Sequence, residues 1–320
     1  MPRLRRSRPY GPGIRRESHG NSERFISQDG REITDEATLE RIRALVIPPA
    51  WTDVWIADDE LGHIQAVGTD QAGRKQYLYH DVWRQQRDRV KFDRALVLAG
   101  ALPTARRSVS RDLNGSGLTQ RRALAAAFQL VDRSALRIGS EEYLRQNGSH
   151  GLITLQARHV IVGDQGIELI FPAKSGKEWH SIVTDPGLTA FLAEMKVKRR
   201  ARSRMLAWRD TSWHALTSTN VNDDIRERTR AELTAKDFRT LRGTIVAAQA
   251  LARSGIPESE KQASQAITAA VQATADVLGN TTAVARKSYV DPRLFDQFRA
   301  GRVLDLRRSP EAALRSLLEG

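Results

Sequence analysis

Of the five tyrosines in the chain, Tyr289 stands in the most suggestive surroundings. It closes the stretch Leu278-Gly279-Asn280-Thr281-Thr282-Ala283-Val284-Ala285-Arg286-Lys287-Ser288-Tyr289, and Val290-Asp291-Pro292 follows. Gly279 reads as the end of one helix, Asn280 or Thr281 as the cap of the next, and Asp291-Pro292 as the stop of that segment. Nine residues at ~100° each make about two and a half turns, so on one unbroken helix Asn280 and Tyr289 would face opposite sides. For both to meet one phosphate, the helix must break between them, near Arg286 to Ser288. Spacing alone leaves Tyr289 open to two readings, a half-buried packing side chain or a phenol that works on a phosphate. Lys174 is a second candidate, because Lys174-Ser175-Gly176-Lys177 reads as a tight turn between strands that leaves its amine free to swing. An ordinary hairpin lysine fits that position equally well.

Other chemistries are excluded by what the chain lacks. There are no cysteines, which removes disulfides, thiolate metal sites and a thiol nucleophile together. Gly176-Lys177 is followed by Glu178 and has no upstream glycine of a phosphate-cradling loop, and there is no Gly-x-Gly-x-x-Gly. The seven histidines include no His-x-x-x-His pair, and acidic doublets such as Asp223-Asp224 read as exposed turn or cap residues, so no metal site is expected.

Two kinds of element must position these residues. From about Ser22 to Arg89 the pattern is strand-like, with Arg24 to Ser27, Asp53 to Ala57, His63 to Val67 and Lys75 to His80 as strands and Asp35 to Leu45 as a helix stopped by Pro48-Pro49. Beyond Arg89, apolar residues recur at three- and four-residue spacing over 91–101, 118–134, 139–147, 186–208, 222–232, 236–253 and 258–278. Thr234-Ala235-Lys236-Asp237 resembles a capping box with Asp in place of Glu, opening the 236–253 helix. A β meander interrupts the helices, with strands expected over Gly151 to Gln156, His159 to Val162, Ile167 to Ala173 and Glu178 to Val183. The expected fold is therefore α+β, a small mainly antiparallel β domain at 21–90 and a larger, mostly helical domain at 91–320.

The 320 residues carry 51 Lys and Arg against 38 Asp and Glu, a net charge of +13, and 40% are hydrophobic, enough for true cores. Residues 91–320 hold 36 basic and 24 acidic side chains, whereas 1–90 hold 15 and 14, so the excess lies in the larger part. The first sixteen residues include six arginines and no acid, with Pro and Gly among them, and 1–20 reads as a flexible basic arm. No apolar run approaches the ~18 residues of a membrane span, so an intracellular protein with an anionic partner is expected, and charge of this size favours nucleic acid.

At these residues the sequence resembles the poxvirus-like and bacterial type IB DNA topoisomerases. The likeness runs through Leu278-Gly279-Asn280-Thr281 with Arg286-Lys287-Ser288-Tyr289, Leu136-Arg137-Ile138-Gly139 with Tyr143, Phe171-Pro172-Ala173-Lys174-Ser175-Gly176-Lys177, and Lys236-Asp237-Phe238-Arg239-Thr240. It extends to Ile47-Pro48-Pro49-Ala50-Trp51 and Gly73-Arg74-Lys75-Gln76-Tyr77-Leu78-Tyr79-His80, covering about Phe25 to Pro292 in family order. The resemblance implies that Tyr289 attacks a DNA phosphodiester to give a 3′-phosphotyrosyl ester and a 5′-hydroxyl. Arg137 and Arg239 would brace the non-bridging oxygens, a bidentate task suited to guanidinium, and Lys174 would protonate the leaving oxygen. Tyr143 matches a phosphate contact, while Gln76, Tyr77 and Tyr79 match residues that contact the major groove. Asn280 stands where many relatives carry histidine, and can donate a hydrogen bond but not a proton. Double-stranded DNA is the implied partner, held by a monomer, with no cofactor, nucleotide or metal and no membrane.

Plainer roles exist for each residue. Arg137 could pair with Glu141 at i, i+4, Arg239 could be a solvated first-turn residue, and Tyr79 could be a strand-packing residue. Among whole-chain alternatives, a tyrosine recombinase would usually show His where Lys236 stands, and a helical domain before the catalytic one. A non-catalytic nucleoid protein would explain the charge but not the ordered motifs.

Overall fold

The computed structural model describes residues 2–19 and 22–320, and the chain divides into two compact units, Met1–Val90 and Lys91–Gly320. In the first unit, strands β1 (Ile14–His19), β2 (Ser22–Ile26), β3 (Thr52–Ile56), β4 (Ile64–Thr69) and β5 (Lys75–Tyr79) form one antiparallel sheet in the order β2-β1-β3-β4-β5. Helix α1 (Glu36–Ala44) starts at Asp35, whose carboxylate accepts from the Thr38 N–H, and buries Ile42 with Ile14, Val54, Ile56 and Ala66. This small core is built from alternate strand residues and one helix face.

The arm expected at 1–20 is different in the structure. Its second half is β1, and Arg16, whose side chain is 2% exposed, donates to the Trp51 carbonyl at 2.5 Å and pairs with Glu23. Further forward, Arg5 bridges to Gly62 and pairs with Asp59, and Ser7 exchanges hydrogen bonds with Ile64. Composition suggested a solvated tail, but alternate residues of this stretch carry the pairing and packing of a strand. The expected boundary between residues 20 and 21 lies outside the described residues.

Helix α2 (Asp81–Leu113) is far longer than the expected 91–101, because it continues through Pro103 and buries Leu102, Ala105, Val109 and Leu113. Packing of that apolar stripe outweighs the N–H that proline removes. Helices α3 (Gln120–Ser134) and α4 (Glu141–Asn147) follow. The expected strand at Gly151 to Gln156 is instead turned in its middle, with a 3-10 helix at Leu152–Thr154, and only Gln156 makes a β-bridge, to Arg204. There the Thr154 hydroxyl takes the Gly151 N–H at 2.8 Å, so a local side chain replaces a sheet partner.

Strands β6 (Val160–Gly163), β7 (Gly166–Pro172) and β8 (Glu178–Val183) make the meander, in that order. Helix α5 (Pro186–Lys198) stops ten residues short of expectation. Arg199 leaves it with extended backbone, its guanidinium over the Trp213 ring at 4.2 Å, and Met205 and Leu206 turn into the core. A hairpin of β9 (Ala207–Arg209) and β10 (Trp213–Ala215) precedes α6 (Ser218–Thr229), α7 (Ala235–Ser254) and α8 (Glu260–Leu278). The chain ends with α9 (Thr282–Ser288), α10 (Arg293–Arg299) and α11 (Pro310–Glu319). Helix α8 is buried along one face, whereas α3 over 125–131 and α7 over 237–241 are buried all round, and α7 lies between α8 and the C-terminal helices in the larger core. No helix among the described residues is long and apolar enough to cross a membrane.

Candidate active site

Helix α7 provides the foundation of the site. Its start is fixed by Asp237, whose carboxylate accepts the Thr234 N–H at 2.7 Å and the Thr234 hydroxyl at 3.0 Å, the expected capping box. Arg94 of α2 grips the same carboxylate through Nε at 3.1 Å and Nη2 at 2.8 Å, a fork on a group that is 5% exposed. One turn in, Arg239 is only 2% exposed, so the solvated reading of this arginine does not hold. Its Nη1 donates to the Ala135 carbonyl at 2.6 Å and its Nη2 to the Leu278 carbonyl at 2.8 Å. Both are carbonyls at helix ends, where a cation is favoured by the dipole and by the unpaired acceptors.

The break between Asn280 and Tyr289 is real, but lies mostly at the asparagine. Gly279 takes a left-handed conformation (φ 60°), which ends α8, and Thr281 caps α9, so Asn280 sits on the corner between the two helices. Helix α9 then ends at Ser288, and Tyr289 leaves it with φ −132°. Arg137 Nη2 donates to Asn280 Oδ1 at 2.5 Å. Glu141 is taken by Arg204 at 2.5 Å instead, which removes the i, i+4 pair as an account of Arg137. The Arg239 guanidinium lies over the Tyr289 ring, 5.1 Å from its centroid.

Burial pushes the Tyr289 phenol towards its neutral form. The charge and N–H groups of Arg239, followed by the charges of Arg137 and Lys236, more than offset this, and the hydroxyl ionises below the ordinary tyrosine range. Burial, with Arg137 nearby, also lowers the pKa of Arg239. Lys236 was not among the residues picked from the sequence, although its place three before Arg239 puts it on the same helix face.

Two donors here are unusual. Among the described residues, three buried side-chain nitrogens or oxygens lack a hydrogen-bond partner, and two of them are Arg239 Nε and Asn280 Nδ2. A buried donor without an acceptor costs about 1–3 kcal/mol. Two of them next to cations and a phenol fit an acceptor-rich anion such as a phosphodiester. The Arg239 fork is partly engaged by backbone, so each terminal nitrogen has one N–H committed and Nε has none.

Lys174 is placed differently. It opens a 3-10 turn, Lys174–Gly176, between β7 and β8, is exposed, and has its ammonium 5.6 Å from the centroid of the Tyr143 ring. The base of that tip approaches the site, since a methyl added at Gly279 would meet the Trp179 ring at 3.5 Å. Tyr143 is 38% exposed on α4. The structure thus gathers Arg137, Arg239, Asn280 and Tyr289, and sets Lys174 with Tyr143 at the hairpin tip.

In the first unit, Tyr77 and Tyr79 are 41% and 40% exposed on one face of β5, their ring centroids 6.1 Å apart. Gln76 faces the other way, as strand alternation requires, and donates to Asp70 at 2.8 Å. Lys75 shares the tyrosine face and lies over the Tyr10 ring at 4.6 Å, a cation that the sequence reading passed over.

Comparison with known proteins matches the sequence to a family. The family model described as the eukaryotic DNA topoisomerase I catalytic core matches residues 80–299, and that of the bacterial DNA topoisomerase IB N-terminal domain matches residues 24–70. DNA topoisomerase 1B of Acanthamoeba polyphaga mimivirus is 33% identical over 285 residues, covering 87% of this chain and 85% of the viral protein. DNA topoisomerase I of Monkeypox virus and DNA topoisomerase 1B of Vaccinia virus (strain Copenhagen) are each 22% identical over 282 residues, 85% of either chain. With one family model over residues 80–299, more than half of the chain, and a relative 33% identical over 87% of it, the chain belongs to the type IB DNA topoisomerase family.

Proposed function

We propose that this protein relaxes supercoiled duplex DNA by a reversible transesterification at Tyr289. The Tyr289 oxygen bonds to phosphorus as the bond from phosphorus to the 5′ oxygen breaks, leaving a 3′-phosphotyrosyl ester and a 5′-hydroxyl. The phenolic proton passes to water, and Lys174 supplies a proton to the leaving oxygen. Rotation of the freed strand and attack by the 5′-hydroxyl reverse the step. No nucleotide is consumed, because the new ester retains the energy of the bond it replaced.

The observation that carries this reading is the pair of unpartnered buried donors, Arg239 Nε and Asn280 Nδ2, beside a phenol whose ionisation is eased. They suit the extra negative charge of a pentacoordinate phosphorus, with Arg137 on the same corner, so fixed cations take the role a metal has elsewhere. Lys174 reaches the leaving group by a side-chain swing from the hairpin tip, with Tyr143 beside it on the phosphate backbone. Tyr77 and Tyr79, with Gln76 and Lys75 on the same strand, supply duplex contacts from the first unit. One chain holds the whole set, so the active form is a monomer.

The test is relaxation of supercoiled plasmid in EDTA without ATP. Relaxation is expected for both signs of supercoil, with a covalent protein–DNA adduct trapped by detergent. Tyr289→Phe removes the nucleophilic oxygen and should abolish both. Relaxation that persists in this variant rules Tyr289 out as nucleophile.

A further inference from the structure

Helix α7 presents more than Arg239 to the tyrosine segment. Lys236, Arg239, Thr240, Gly243 and Thr244 follow the i, i+3, i+4, i+7, i+8 spacing of one helix face. The last two touch the backbone of Tyr289 itself. A Cβ at Gly243 would lie 2.7 Å from the Tyr289 carbonyl oxygen and 2.8 Å from its Cβ, so no larger residue fits unless the tyrosine moves. The Thr244 hydroxyl, 2% exposed, lies 3.1 Å from both the Thr240 and Tyr289 carbonyl oxygens and accepts the Asp291 N–H at 3.2 Å. With one proton to donate, it serves one of these carbonyls at a time. From the other side the Thr274 hydroxyl of α8 lies 3.2 Å from the Gly243 carbonyl oxygen and 3.0 Å from that of Ala270, and serves one of them at a time. The backbone of the nucleophile and of the segment just after it thus rests on the helix that carries the cations.

We propose that Gly243 and Thr244 are positioning residues for the nucleophile, seating the Tyr289 backbone on α7 so that the phenol keeps a fixed distance from Arg239 and Lys236. The inference rests on the reading of Tyr289 as the attacking group. Its logic is geometric. The phenol depends on close cations for ionisation and on alignment for attack, and both are set by where its backbone is held. A displacement of about 1 Å is enough to cost of the order of 10²-fold in such a step. The charged groups facing the phenol are Arg239 and Lys236 from α7 and Arg137 from the segment before α4. The neighbouring carboxylates of Asp237 and Asp291 are turned to Arg94 and Arg293.

Thr244→Val keeps the branched shape and removes the hydroxyl, Thr244→Ser restores it, and Gly243→Ala forces the backbone away. Single-turnover adduct formation on supercoiled plasmid, plasmid retention on a filter and thermal melting are measured for each across a pH series. Thr244→Val and Gly243→Ala should form adduct about 10- to 100-fold more slowly at neutral pH. Plasmid retention should stay at the wild-type level, and part of the rate should return at alkaline pH because the displaced phenol ionises later. Thr244→Ser should stay within about threefold of wild type, half a logarithmic unit. Wild-type rates in both slow candidates, or an equal loss at every pH as fewer folded molecules would produce, overturns the proposal. A wild-type chain that forms no adduct removes the underlying reading of Tyr289 instead.

Discussion

Arg239 and Lys174 belong to the same unit and serve the same proposed reaction, yet they stand on opposite kinds of scaffold. Arg239 leaves the buried first turns of α7, with both terminal nitrogens on carbonyls of other elements. Lys174 leaves the tip of a two-stranded excursion into solvent, with an aromatic face for company. The difference follows from their tasks. A group that stabilises charge gains from being fixed beforehand, since no reorganisation is needed when the charge develops. A group that delivers a proton to a leaving oxygen must first let the duplex in. In the proposed reaction the fixed cation thus stands on a buried helix, and the proton donor on an exposed hairpin.

The sharpest way to break this comparison is Arg239→Ala. Adduct formation should fall by at least about 10³-fold, since an oxyanion-type donor and the phenol's main cation go together. The carbonyls of Ala135 and Leu278 would lose their donors, so urea unfolding should report a loss of about 2 kcal/mol or more. Lys174→Ala should slow adduct formation by about 10²-fold and leave the urea midpoint unchanged. If it destabilised the fold as Arg239→Ala does, the contrast between the two scaffolds would fail.

Acid tests the ground beneath the hairpin. His159, its ring 4.3 Å from that of His150 and 6.1 Å from Phe171, is 5% exposed. Burial, then the nearby His150, Arg158 and Arg204, brings its pKa from 6.5 down to about 4. The folded state thus binds fewer protons than the unfolded chain between these values, and stability should fall as pH drops from 6.5 towards 4. The slope is at most about 1.4 kcal/mol per pH unit for this residue, and His159→Phe should flatten it in urea titrations. The smallest effect is expected from Arg204→Ala. It frees Glu141 at the start of α4 and should weaken plasmid binding through Tyr143 by only about two- to fivefold, as suits a partly exposed ion pair.

The legible parts of this molecule were those written in local chemistry. Thr234 with Asp237, Gly279 at a helix end and the turn at Gly163 to Gly166 announce themselves in sequence, and each is where it was expected. Three separate motifs of the family resemblance named Arg137, Arg239 and Asn280, and the fold brings Arg239 over the Tyr289 ring and Arg137 onto Asn280. What could not be read depends on distant partners. Arg16 looked like tail charge until Trp51 and Glu23 came beside it, and 199–208 carried helical spacing although Trp213 and the core claim its residues. Gln76 was grouped with Tyr77 and Tyr79 by motif, yet strand alternation turns it towards Asp70. Thr244 gave no signal at all, because nothing in a mid-helix threonine reveals which backbone will settle on its hydroxyl.

Asn280 has one further consequence. An amide carries no ionisable proton, so Asn280 accepts from Arg137 through Oδ1, and offers the N–H groups of Nδ2, in weakly acidic and weakly alkaline solution alike. An imidazole there would switch between one and two N–H groups near neutrality. For the proposed reaction the response to acidity is thus left to the phenol, and the corner beside it is indifferent to the buffer.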